Sequence, residues 1–129
     1  MIGPTATHQD LGTKAERLLA LAKLRQQTRW PGYRNVGDYQ SGQYECDHVS
    51  PYTKSAGNVD CSVMIMLQDW ASDKFLSQTF CEETAKHGRT PTRLTNRTLD
   101  RLLTEFLHVS IAETYGTNLF PFIKPNGYE

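Results

Sequence analysis

Two polar signatures stand at the ends of apolar runs in this chain. Gln68-Asp69 follows Ser62-Val-Met-Ile-Met-Leu67, and Asn118 falls within a second run that stops at Pro121. A carboxylate just outside the carboxyl end of a strand can orient or activate a water. A carboxamide there can read the edge of a heterocycle with one donor and one acceptor. In open α/β sheets ligands sit at those strand ends, so two neighbouring parallel strands would gather Gln68, Asp69 and Asn118 around one crevice. Ordinary loop polarity and capping account for the same residues without a ligand, and geometry alone leaves both readings open.

A second pattern is basic. Arg89, Arg93, Arg97 and Arg101 recur every four residues, with Lys86 and His87 just upstream. Arg89 and Arg93, in a loop beside the crevice, are the candidates for phosphate contact. Arg97 and Arg101 share the outer face of a helix that also carries Asp100 and Glu105, where a solvated surface is the plainer account. Tyr33, Tyr39, Tyr44 and Tyr52 could stack on bases, or pin an irregular loop to the core. Cys46, Cys61 and Cys81 are odd in number and form no Cys-x-x-Cys pair, which argues against a disulfide framework or a zinc site and for free thiols.

The elements that must position these groups follow from periodicity. Ala15, Leu18, Leu19 and Ala22 mark an amphipathic helix that starts at Thr13, with Glu16 completing a capping box, and fades near Thr28. Residues 31–60 show neither helical nor strand period and read as a long loop, a kind that tends to be functional. Ser62–Leu67 is an unbroken apolar run, expected as a strand buried on both faces. A short helix over Asp73–Phe80 leads into a basic, turn-rich link. A helix over Asn96–His108 carries Leu99, Leu102, Leu103, Phe106 and Leu107 on one face, and a strand over Glu113–Phe120 follows. Strand, helical crossover and strand make a right-handed parallel βαβ unit. The fold class expected is α/β, the front of a three-layer α/β/α domain.

These residues also resemble a known family. Gln68-Asp69-Trp70 after an apolar strand is similar to the Gly-Gln-Asp-Pro or Gly-Gln-Asp-Trp-Gly motif of the uracil-DNA glycosylase superfamily. Pro51-Tyr-Thr-Lys-Ser-Ala-Gly-Asn-Val-Asp60, Thr95-Asn96 before Leu99, and Thr117-Asn-Leu-Phe-Pro-Phe-Ile-Lys-Pro125 match its Gln-Asp-Trp branch in order and spacing, so the resemblance spans about residues 45–127. It implies a three-layer domain with a parallel sheet that flips uracil or a related deaminated base out of DNA and hydrolyses its N-glycosidic bond, with no metal or cofactor. By position, Asp69 would hold the attacking water and offset oxocarbenium charge. The backbone of Gln68 would line the base pocket, and Asn118 would pair with the base edge. Trp70 would serve as a steric wall or as a packing residue.

Departures from the pattern carry their own expectations. Leu67 replaces the motif's leading glycine and would crowd the pocket, and Ala71 follows Trp70. The base-stacking aromatic has no obvious bearer unless Phe75 or Phe80 reaches in. The three cysteines do not supply the iron–sulfur cluster of some relatives. Neither His87 nor His108 matches the His-containing loop of the second motif. The resemblance therefore implies a C-terminally truncated member, residues 12–129 forming the N-terminal part of one domain behind a disordered 1–11, and weak or inactive as a catalyst. The alternative is a compact variant that completes its sheet by dimerising.

The totals limit partners. With 14 Lys and Arg against 14 Asp and Glu in 129 residues, the net charge is zero, so any nucleic-acid contact must be local. No run approaches the ~18 apolar residues that span a bilayer, and the start lacks a signal-peptide pattern. A cytoplasmic protein acting on single- or double-stranded DNA is the expectation. A non-catalytic module binding nucleotide or nucleic acid is the alternative.

Overall fold

The computed structural model describes residues 12–125, and the expected disordered start at 1–11 lies outside the described residues. Helix α1 (Lys14–Gln27) begins where the capping box predicts. Thr13 Oγ1 accepts from Glu16 N at 3.1 Å, and the Glu16 carboxylate accepts from Thr13 N at 2.8 Å. Its buried residues are Ala22 and Arg25, while Leu19 of the expected apolar stripe is exposed. Arg25 can be buried because its fork is filled: Nη2 reaches Glu45 at 2.6 Å, Cys46 O at 2.9 Å and His48 O at 3.0 Å. The helix is thus tied to the long segment that follows it.

That segment supplies the core. Val36, Tyr39 and Tyr44 cluster with Leu76 and Ile123, and Tyr52 and Ala56 are buried nearby. The phenol oxygens are satisfied as they sink. Tyr39 Oη donates to Asp73 at 2.5 Å, and Tyr44 Oη accepts from Cys81 N at 2.9 Å. Of the two uses foreseen for these tyrosines, Tyr39, Tyr44 and Tyr52 serve as pins.

Strands β1 (Met64–Leu67) and β2 (Tyr115–Asn118) pair in parallel, with Met64 opposite Tyr115 and Leu67 opposite Asn118. The ladder runs on past the strands, Leu119 N to Leu67 O at 2.7 Å and Phe120 N to Gln68 O at 3.0 Å. The expectation of a first strand buried on both faces is corrected. Ile65 is buried, but Met64 and Met66 are 58% and 53% exposed, so β1 alternates and covers only one face. It is β2 that is buried throughout. The outer edge of β2 is partly covered by backbone, with Gly116 N donating to Ala56 O at 2.8 Å.

Between the strands lie α2 (Asp73–Leu76), α3 (Glu82–His87) and α4 (Leu94–Leu102), the last winding into a wider turn over Leu103–Leu107. Helix α3 occupies the stretch expected as a turn-rich link. It stops at Gly88, whose φ of +71° is left-handed and whose place a Cβ could not share, since that atom would fall 1.7 Å from Pro51 O. The architecture is therefore mixed α/β with a two-stranded parallel sheet. Among the described residues no helix is long and apolar enough to cross a membrane, and Cys46, Cys61 and Cys81 are free thiols.

Candidate functional site

A cavity of about 270 Å³ opens beyond the carboxyl end of β1, where the parallel pairing predicts a site. Its walls include Asp69, Trp70, Phe75, Tyr52, Arg93 and Asn96. Leu67, in the place of the motif glycine, also lines it. Asp69 is partly exposed and does not stand alone: Lys124 Nζ donates to its Oδ2 at 3.3 Å while lying 5.4 Å over the Phe120 ring. Lys124 is held in place by its neighbour. Ile123 is buried in the core and exchanges backbone hydrogen bonds with Arg34, at 2.8 and 3.4 Å.

Of Phe75 and Phe80, the two aromatics left open by the linear pattern, Phe75 lines the cavity. Ser72 caps α2, its Oγ accepting from Phe75 N at 3.0 Å, and the short helix turns Phe75 back onto the cavity. The Ser72-x-x-Phe75 spacing just after Asp69 was the available signal. Phe80 goes instead to the core, 5.0 Å from Tyr44. Arg93 lays its guanidinium 4.8 Å over the Phe75 ring and also lines the cavity.

Arg89 lines the same cavity, but its assignment as a phosphate contact is corrected. The side chain is buried, with Nη1 and Nη2 gripping the Asp100 carboxylate at 2.9 and 2.8 Å, and Nη1 also reaches Tyr52 Oη at 3.4 Å. Burial works against its charge, yet the bonds to Asp100 and Tyr52 outweigh that and hold its pKa up. Two committed donors and a buried stem leave it a structural cation. Burial likewise pushes the Tyr52 phenol up, against the pull of Arg89.

Trp70 is anchored rather than loose. Its Nε1 donates to Gly88 O at 2.7 Å and its ring meets Tyr44 edge-on at 5.9 Å. It lines the Asp69 cavity on one side and, on the other, a void of only about 10 Å³ that holds Asn118. Asn118 is 7% exposed; its Oδ1 accepts from Ser50 Oγ, and its buried Nδ2 has no partner. The expected crevice is thus split. Asp69, Trp70 and Arg93 converge on one cavity, Asn118 lines the separate small void, and Gln68 is exposed with its carbonyl committed to Phe120.

The cavity thus combines an aromatic-walled slot, a carboxylate paired with Lys124, and the Arg93 guanidinium beside Phe75. Among the described residues no three His, Cys, Asp or Glu side chains gather as metal ligands would. Comparison with protein-family models, curated proteins and solved structures finds no match to this chain.

Proposed function

We propose that the cavity beyond β1 takes up a base extruded from DNA and that Asp69 positions the water that hydrolyses its N-glycosidic bond. This is the reaction of the uracil-DNA glycosylase superfamily, whose motifs residues 45–127 resemble, and the parallel pair β1–β2 would be the part of its three-layer sheet seen here. The observation that carries the reading is the placement of Asp69 on a cavity walled by Trp70 and Phe75. Aromatic faces stack on bases of any sequence, and Arg93 beside Phe75 is suited to the attached phosphate. In the step itself, water adds to the sugar carbon as the bond to the base nitrogen breaks, the bonding pair leaving with the base. Asp69 takes the water's proton, and its charge favours the cationic sugar that develops.

The resemblance gives the base edge to Asn118, and the unpartnered Nδ2 of that residue supports a role in binding. Asn118 and Asp69 line separate cavities, and Trp70 is on both. A second reading, binding of nucleotide or nucleic acid without hydrolysis, is favoured by that separation and by the Lys124 ion pair on Asp69.

Release of uracil from a single-stranded oligonucleotide by purified protein tests both. Loss of at least about a hundredfold in rate on Asp69→Asn is expected, within the range for a positioned base. Activity indifferent to that change would sink the assignment of Asp69. Oligonucleotide binding without release would favour the second reading.

A further inference from the structure

Asn96 faces the same cavity as Asp69, and its carboxamide is held in a defined polarity. A guanidinium can only donate, so Tyr52 Oη, 3.4 Å from Arg89 Nη1, must act as acceptor there. The phenol proton is then free to go to Asn96 Oδ1, 3.2 Å away. On the other side Asn96 Nδ2 donates to Thr90 O at 2.7 Å, and a carbonyl can only accept. Both neighbours impose the same orientation of the amide. The chain starts at the Asp100–Arg89 pair and runs through two residues, Arg89 and Tyr52, that are almost fully buried. Such a network holds its polarity because breaking it would strand a buried donor.

One N–H and one Oδ1 lone pair of Asn96 remain uncommitted on a half-buried residue lining the cavity. Asn118 does not line this cavity: it is buried and lines a separate void of about 10 Å³. We infer that Asn96 is the specificity-determining amide of the Asp69 cavity. Its partner would be a planar ring whose edge sets a carbonyl oxygen beside a ring N–H, as a pyrimidine or deaminated purine lactam does. Arg89 and Tyr52 act through it as positioning residues. The inference rests on the reading of the cavity as a base pocket.

Titrating the full chain with deoxyuridine and with N3-methyldeoxyuridine, which lacks the ring N–H, is the test. The unaltered protein should prefer deoxyuridine by about tenfold, the worth of one well-made hydrogen bond in a site that desolvates it. Asn96→Leu should erase the preference, so that the two nucleosides bind alike. Tyr52→Phe, which leaves the core filled and frees the amide to flip, should reduce the preference about threefold. It also decides the matter if Asn96→Leu fails to fold. Equal binding of the two nucleosides by the unaltered protein overturns the inference and spares the base pocket. Binding of neither overturns both. A preference that survives Asn96→Leu, that stays at about tenfold in Tyr52→Phe, or that vanishes only with Asn118→Leu, assigns the amide elsewhere.

Discussion

The stretch 31–60 contains nothing longer than a single helical turn, yet Val36, Tyr39, Tyr44 and Tyr52 within it are buried. Helix α4 and the turn after it are regular and strongly amphipathic, yet no residue of α4 is buried, and Phe106 at the end of the stripe is 69% exposed. Of that stripe only Leu103 is deeply covered. The contrast separates two sources of order. In α4 the backbone satisfies its own hydrogen bonds locally, whether or not its apolar face has a partner. In 31–60 side chains find partners far along the chain: Gln40 Nε2 on Leu76 O at 2.9 Å, Tyr39 Oη on Asp73 at 2.5 Å, Tyr44 Oη under Cys81 N. The irregular segment is therefore the one that holds the domain and shapes the wall of the candidate site.

That contrast can be broken by matched truncations. Tyr44→Ala removes a ring packed on Trp70 and Phe80 and strands Cys81 N, so a loss of about 4 kcal/mol is expected in urea unfolding. Asp100→Ala should cost about 3 kcal/mol by leaving Arg89 buried without its counter-charge. Adding Arg89→Met to it should recover part of that, measured as a double-mutant cycle.

A smaller effect is set by pH. Burial, followed by the charge of Lys54, holds His48 below its usual 6.5. The unfolded chain therefore takes a proton first as pH falls. Stability should be level above about pH 6.5 and decline from there toward the folded value. His48→Gln should flatten that decline, as read by thermal melts between pH 7 and 5. Smallest of all, Phe106→Ala should change stability by less than about 0.5 kcal/mol. A loss there comparable to that of Tyr44→Ala would mean the stripe is covered and the contrast false.

What could be read from residue order was what is settled by near neighbours. The Thr13–Glu16 capping box, the Thr28 stop and the parallel pairing of two apolar runs depend on local signals or on a simple connection rule, and all three appear in the fold. Asp69 was placed at a cavity because strand ends point that way. Arg89 was misjudged because its counter-ion, Asp100, lies one helix further on and meets it only after folding. The split between Asp69 and Asn118 depends on where the Trp70 indole lies, which its bond to Gly88 O decides. Exposure of Met64 and Met66 was hidden because an apolar run carries no information about which face finds cover.

Gly88 and Gly32 share a left-handed backbone, at φ +71° and +88°, but their surroundings differ: Gly32 has nothing within 4 Å of where a Cβ would stand. In a library of random variants selected only for folding, position 32 should return asparagine and aspartate alongside glycine, since those residues tolerate that conformation. Position 88 should return glycine alone. A side chain there would meet the Pro51 carbonyl and disturb the oxygen that holds Trp70. One codon thus sets both the end of a helix and the seat of the Trp70 indole, and mutational drift cannot loosen the second while preserving the first.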